Sequence, residues 1–178
     1  LSPYISPLHF FRVFNKRYTE IPERIRIWRM GGEQVGSNLI TYAPFTFLPY
    51  LKYVSNSVFI ARKSLVFTLP SLRSILKKWK FDTVDVLWND SPRMLDLSRL
   101  VRHKVLVYWY SDDTTAFSSY PSTQEKLVDE VIKSSNIVFA TAHNLFDKPK
   151  GFNANTFLIP NGVDFELFSR TTEHVPKE

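Results

Sequence analysis

Val105-Leu106-Val107-Tyr108-Trp109-Tyr110-Ser111-Asp112-Asp113 is a run of apolar and aromatic residues that stops on two carboxylates. Hydrophobic residues that follow one another, instead of alternating with polar ones, suit a strand buried on both faces of a parallel sheet. The acids then stand at its carboxyl end. In open α/β sheets ligands bind outside that end, because the loops leaving neighbouring strands diverge there and leave a crevice. Asp112 and Asp113 are therefore the leading candidates for chemistry.

Outward from this strand, expected over 104–110, elements alternate regularly. Residues 84–88 read as a buried strand and 92–101 as a helix. A helix over 122–134 follows, with Ser122 and Glu125 as a capping box and Leu127, Val128, Val131 and Ile132 as its apolar face. Residues 137–141 form another buried strand, a short helix begins near His143, and 156–159 is the last strand. Strands and helices in this order predict an α/β fold: a Rossmann-like parallel sheet with helices on both faces.

The first 80 residues are less regular. Two Ser-Pro steps, Ser2-Pro3 and Ser6-Pro7, argue against a helix before His9, a lone histidine whose expected role is packing or surface. Ile25 and Ile27 alternate with Arg24 and Arg26, which reads as a short edge strand over 25–30, ended by Gly31-Gly32. A second strand is expected over 38–43. The proline-bounded aromatics that follow, Phe45, Phe47, Tyr50 and Tyr53, fit a core lid slightly better than a membrane-interface patch with Lys52, Arg62 and Lys63. Asn56 can cap a long helix whose stripe is Val58, Leu65, Leu69, Leu72, Leu76 and Trp79, kinked or split by Pro70. Lys77, Lys78 and Lys80 then complement the dipole at its end.

The 178 residues suffice for one domain with a full core. The absence of cysteine excludes disulfides and thiolate metal sites and fits a reducing compartment. No apolar run is long enough to span a bilayer, and no signal peptide is evident. The chain does not begin with Met, so its true amino terminus is expected to be missing. The net charge of +6 is uneven: residues 1–80 carry 13 Lys and Arg against 3 Asp and Glu, and residues 81–178 carry 10 against 14. A basic half of this kind suggests an anionic partner such as a membrane surface, a pyrophosphate-bearing substrate or nucleic acid; a solvated surface explains it about as well.

Four strand ends converge on one edge. They bring Asn89, Asp90 and Ser91; Ser111, Asp112 and Asp113; Thr141, Ala142 and His143; and Asn161, Gly162 and Asp164. Each also has a plain role as a turn former or helix cap, and Gly162 is expected to supply a positive φ. Neither G-x-G-x-x-G nor G-x-x-x-x-G-K-[ST] occurs, which argues against a nicotinamide enzyme or a P-loop ATPase. The four histidines have no metal-ligand spacing, and adjacent acids on an extended segment point to opposite sides, so no metal site is assigned.

Residues 105–168 resemble the amino-terminal domain of GT-B glycosyltransferases of the family 4 kind and of the related xanthan-type glucuronosyltransferases. Three pieces carry the resemblance: Tyr108-Trp109-Tyr110-Ser111-Asp112-Asp113, Ile137 to Leu145, and Leu158-Ile159-Pro160-Asn161-Gly162-Val163-Asp164 with Phe168. Ser135-Asn136 stands where the family usually has Ala-Asp, and His143 where Ser is common. The resemblance implies that residues 1–168 are the acceptor-binding half of a two-domain enzyme and 169–178 the start of an interdomain linker. It places a UDP- or GDP-sugar donor on a carboxyl-terminal domain beyond this sequence. It implies a sugar or lipid-linked oligosaccharide as acceptor, and a cytoplasmic enzyme peripheral to the inner face of the membrane, with nucleic acid the less favoured partner. Asp112 matches an aspartate that serves the glucuronosyltransferases as general base; in a retaining enzyme it would orient the acceptor instead, and as a bare loop cap it would do neither. Asn89, Asp90, Ser111, Asp113, Thr141 and His143 would line the acceptor site, and Asn161, Gly162 and Asp164 the interdomain cleft. A non-catalytic Rossmann-like binding module in envelope polysaccharide assembly is the rival reading.

Overall fold

In a computed structural model of the chain, the residues described are 5–7, 19–47, 65, 67–113 and 124–169. The architecture is α/β: a four-stranded parallel sheet flanked by helices, as in one half of a Rossmann-like fold. Its strands are β3 (Thr83–Asn89), β4 (Arg102–Tyr110), β5 (Ile137–Ala140) and β6 (Thr156–Leu158), in the order β3-β4-β5-β6. Before them come α1 (Glu20–Met30), the antiparallel hairpin of β1 (Glu33–Val35) and β2 (Leu39–Thr41), and α2 (Leu72–Lys78). Between and after the sheet strands lie α3 (Leu97–Leu100), α4 (Gln124–Ser134), α5 (His143–Phe152) and α6 (Phe165–Ser169).

β4 is interior to the sheet, and Leu106, Val107 and Tyr108 are consecutively buried, so both faces are covered at its middle. On one face Tyr108, Tyr110, Val138 and Ala140 pack with Val128, Val131 and Ile132 of α4 and Leu145 of α5. This is the main core, and the stripe Leu127, Val128, Val131 and Ile132 is fully buried. Ser122, the expected cap, lies outside the described residues. The register Trp88↔Val107, Trp109↔Phe139 and Phe139↔Phe157 puts a row of aromatics on the other face, with ring centroids 5.4 to 6.2 Å apart. There the expectation of a buried first strand fails: Val86 and Trp88 are 54% and 53% exposed, because β3 ends the sheet among the described residues. The helix expected over 92–101 is also broken, into a 3-10 turn at Pro92–Met94 and the single turn of α3.

An unanticipated clasp closes the amino edge. Asn136 accepts from Leu106 N through its side-chain Oδ1 (2.7 Å) and donates its own amide to Leu106 O (2.9 Å), extending the ladder by one residue. Asn155 Nδ2 donates to Asn136 O, and Asn153 Nδ2 to the carbonyls of Ile132 and Ser135. Asn136→Ala is expected to cost about 1–3 kcal/mol, because the amide of buried Leu106 loses its acceptor, whereas Asn136→Asp keeps an acceptor oxygen and stays near neutral. Urea unfolding of the two variants checks this.

The amino-terminal part corrects the reading of 25–30 as a strand. Those residues lie in α1, where Ile21, Ile25 and Trp28 fall on one helical stripe; Ile25 and Trp28 pack on the cluster of Ile5, Ala43 and Phe45. The Arg/Ile alternation spans only four residues, too short to outweigh a stripe of period 3.6 supported by Glu20 and Glu23 in the first turn and Arg29 in the last. Gly31, at φ 67°, caps the helix in the left-handed conformation, its amide bonded to Trp28 O. Gly32 (φ 98°) lets the Trp79 indole come so close that a Cβ there would stand 2.6 Å from Nε1. The strand expected over 38–43 is β2.

The long helix through Pro70 is absent over the described residues of 65–70. Thr68 bridges Thr46 instead, Leu69 N donates to Phe45 O, and the helix begins only at Leu72, with Ser71 Oγ accepting from Ser74 N. Proline disfavours helical backbone in the residue before it, so the element is split, not kinked. Asn56 and Val58 lie outside the described residues, as do His9, Tyr50, Tyr53 and residues 170–178. Phe45 is a core residue, meeting Trp28 at 4.9 Å, while Phe47 is exposed. Among the described residues no helix is long and apolar enough to cross a membrane.

Candidate functional site

The carboxyl edge of the sheet is built by register. Tyr110 pairs with Ala140 and Ala140 with Leu158, so Ser111 and Thr141 leave neighbouring strands at the same level, whereas β3 ends at Asn89, opposite Tyr108. Asn89 is buried and its Oδ1 accepts from Ser91 N (3.0 Å), turning the chain away from the strand. Asp90, next to it, is exposed. Thr141 is buried and ties the two central loops together: its amide donates to Tyr110 O (3.2 Å) and its Oγ1 to Ser111 O (3.1 Å). Ser111 Oγ in turn donates to Asp112 Oδ2 (3.2 Å). Asp112 and Asp113 are both exposed, at the end of a strand that the core holds rigid.

Thr141, Ser111 and Asp112 thus form one connected group. His143 opens α5 beside it, exposed, after Ala142, which gives the helix no side-chain cap. Asn161, Gly162 and Asp164 lie past β6, exposed, two strand spacings or about 10 Å from β4. Gly162 departs from expectation, since its φ is outside the left-handed region and a Cβ there would meet nothing within 4 Å. The loop after β6 runs open to solvent, so no tight turn demands glycine.

Two tyrosines of β4, which sequence reasoning treated only as strand residues, report the electrostatics of this edge. Burial pushes the Tyr110 hydroxyl up to about 12, with the carboxylates of Asp113, Asp129 and Glu125 adding to the shift. Burial also drives Tyr108 upward, with Tyr110 and Asp90 contributing. Glu125 and Asp129, one turn apart on α4, share Lys148 of α5 at 3.4 and 3.1 Å. Their i, i+4 spacing is visible in the sequence; their approach to Tyr110 depends on how α4 packs. The edge is therefore electronegative around a rigid, partly aromatic floor, a setting suited to neutral hydroxyl-bearing ligands better than to anions. Among the described residues no three His, Asp or Glu side chains gather closely enough to hold a metal ion.

These tyrosines set an alkaline limit. A group held neutral by the fold binds its proton more tightly there than in the unfolded chain, so the stability it lends is complete below pH 10. That stability drains away as pH rises from 10 toward about 12 for Tyr110, and likewise for Tyr42, which burial alone raises to about 12. Of the eight tyrosines, Tyr42, Tyr108 and Tyr110 are expected to ionise only together with alkaline unfolding, as read by tyrosinate absorbance beside circular dichroism.

Comparison of the chain with family models, with curated proteins and with solved structures gave no match in any of the three.

Proposed function

We propose that this chain is the acceptor-binding half of a glycosyltransferase that moves a sugar from a nucleotide-sugar donor to a hydroxyl of a lipid-linked or polysaccharide acceptor. The observation that carries the reading is the connected group Thr141–Ser111–Asp112 at the carboxyl end of the central parallel strand. Asp112 is an exposed carboxylate on a rigid element, hydrogen-bonded on one oxygen by Ser111. In an inverting transfer it takes the proton of the acceptor hydroxyl as that oxygen bonds to the anomeric carbon, while the bond from that carbon to the nucleotide diphosphate breaks and the diphosphate leaves with its electron pair. Asp90, Asp113 and His143 lie exposed on the same edge, as side chains able to bond the remaining acceptor hydroxyls, whereas Asn89 is buried and shapes the turn to Ser91. Asn161, Gly162 and Asp164 would face the donor domain, which supplies the UDP- or GDP-sugar. The excess of Lys and Arg in residues 1–80 supports a place at an anionic membrane surface on the cytoplasmic side.

The test is sugar transfer by the complete polypeptide that carries this sequence, using a panel of radiolabelled UDP- and GDP-sugars with a membrane extract as acceptor source. Label passing to lipid or polysaccharide supports the proposal. No transfer from any donor, in protein shown to be folded, sinks it and favours a non-catalytic binding module.

A further inference from the structure

The loop after β6 is open to a chemistry that needs no ligand. The chain has nine asparagines, and only Asn161 is followed by glycine. The pair lies between β6 and α6, in a stretch without helix or strand, and both residues are exposed. Val163 and Phe165, just beyond, are 65% and 77% exposed, so the loop is not packed down on its far side. Among the described residues neither the Asn161 side chain nor the Gly162 amide has a hydrogen-bond partner. Backbone with so few contacts rearranges at almost no cost in free energy.

The other described asparagines are held or hindered. Asn89 is buried and its Oδ1 accepts from Ser91 N. Asn136 Oδ1 accepts from Leu106 N, Asn153 Nδ2 donates to the carbonyls of Ile132 and Ser135, and Asn155 Nδ2 donates to Asn136 O. Asn38 and Asn144 are exposed, but a leucine side chain follows each and crowds the intervening amide. Asn15 and Asn56 lie outside the described residues.

An asparagine side chain carries its carbonyl carbon within reach of the next residue's backbone nitrogen, so attack there is intramolecular and needs only the right rotation. A glycine in second place puts no Cβ against the closing ring and rotates freely. Gly162 is unconfined as well: a Cβ there would meet nothing within 4 Å.

We propose that Asn161 is a site of spontaneous deamidation, with water as the co-reactant. Hydroxide removes the Gly162 amide proton, and the nitrogen attacks Cγ of Asn161. The N–Cγ bond forms, the Cγ–Nδ2 bond breaks, and Nδ2 takes up a proton and leaves as ammonia, which closes a succinimide ring. Water then opens the ring at either carbonyl. Cleavage of N–Cγ gives aspartate; cleavage between that nitrogen and the backbone carbonyl gives isoaspartate, with the main chain rerouted through the side chain. Nothing is oxidised or reduced. Either product adds a carboxylate close in sequence to Asp164, and isoaspartate also lengthens the backbone by a methylene. The site stands whether or not the chain transfers sugars.

The test incubates the full chain, folded and in urea, at neutral and mildly alkaline pH. Peptide mapping by mass spectrometry then follows each asparagine, with fragmentation that tells isoaspartate from aspartate. In the folded chain Asn161 is expected to convert within about threefold of its rate in urea, in proportion to hydroxide and with ammonia released in step. Asn136, Asn153 and Asn155 should stay intact while the chain is folded. Gly162→Ala should slow the conversion severalfold, and Asn161→Gln should remove the new acidic species from ion-exchange profiles; both positions are exposed, so the fold tolerates either change. Conversion of Asn161 far slower in the folded chain than in urea, or no faster than that of Asn38 and Asn144, would overturn the proposal. So would a rate indifferent to hydroxide or unchanged by Gly162→Ala.

Discussion

Asp112→Asn is expected to lower sugar transfer by the complete polypeptide about 10²–10⁴-fold while leaving donor affinity unchanged. Asparagine keeps the size of the side chain and an oxygen to accept the Ser111 hydroxyl, now at 3.2 Å, so the loop keeps its geometry. What it loses is the capacity to take a proton. If Asp112 is the base, the loss falls on kcat, because the interaction matters only as the acceptor oxygen becomes nucleophilic. If the enzyme is retaining and Asp112 orients the acceptor, the loss falls on KM for the acceptor instead. Transfer at the wild-type rate with both parameters unmoved would leave Asp112 as the partner of Ser111 and nothing more. Steady-state kinetics with the acceptor varied at saturating donor separates the three outcomes.

What was legible in advance follows from how locally each feature is determined. β4 and β5 could be read because a buried parallel strand needs an unbroken apolar run, which polar loops then punctuate. The strand ends could be read for the same reason: once β4 stops at Tyr110 and β5 at Ala140, parallel pairing carries Ser111 and Thr141 to one level. The bond between Thr141 Oγ1 and Ser111 O could not, since it depends on register and rotamer. Nor could the acids around Tyr110, two of which come from α4. The amino-terminal part was harder because its short elements take their form from distant partners. Glu33-Gln34-Val35 has little strand character of its own and is a strand through pairing with Leu39-Ile40-Thr41. Thr68 and Leu69 are held by Thr46 and Phe45 outside any helix, although the apolar spacing there continues that of α2.

The second large effect concerns the platform that holds the site. Ile132 is wholly buried on α4, in the cluster that contains Tyr108 and Tyr110, the two residues leading to Ser111 and Asp112. Ile132→Ala removes three carbons from a packed interior and leaves a hole that the sheet on one side and α5 on the other cannot close. It is expected to cost about 2–5 kcal/mol. For a chain of 178 residues each kcal/mol lowers Tm by about 2–4 °C, so thermal unfolding should begin well below that of the parent. Ile132→Val, one methylene smaller, should cost only about 0.5–1.5 kcal/mol. Val86→Ala on the open face should cost less than Ile132→Ala, since Val86 is already 54% exposed. The contrast between the two faces is the informative part. An Ile132→Ala penalty no larger than that of Val86→Ala would mean that α4 does not pack on β4, and the rigid support argued for Asp112 would go with it.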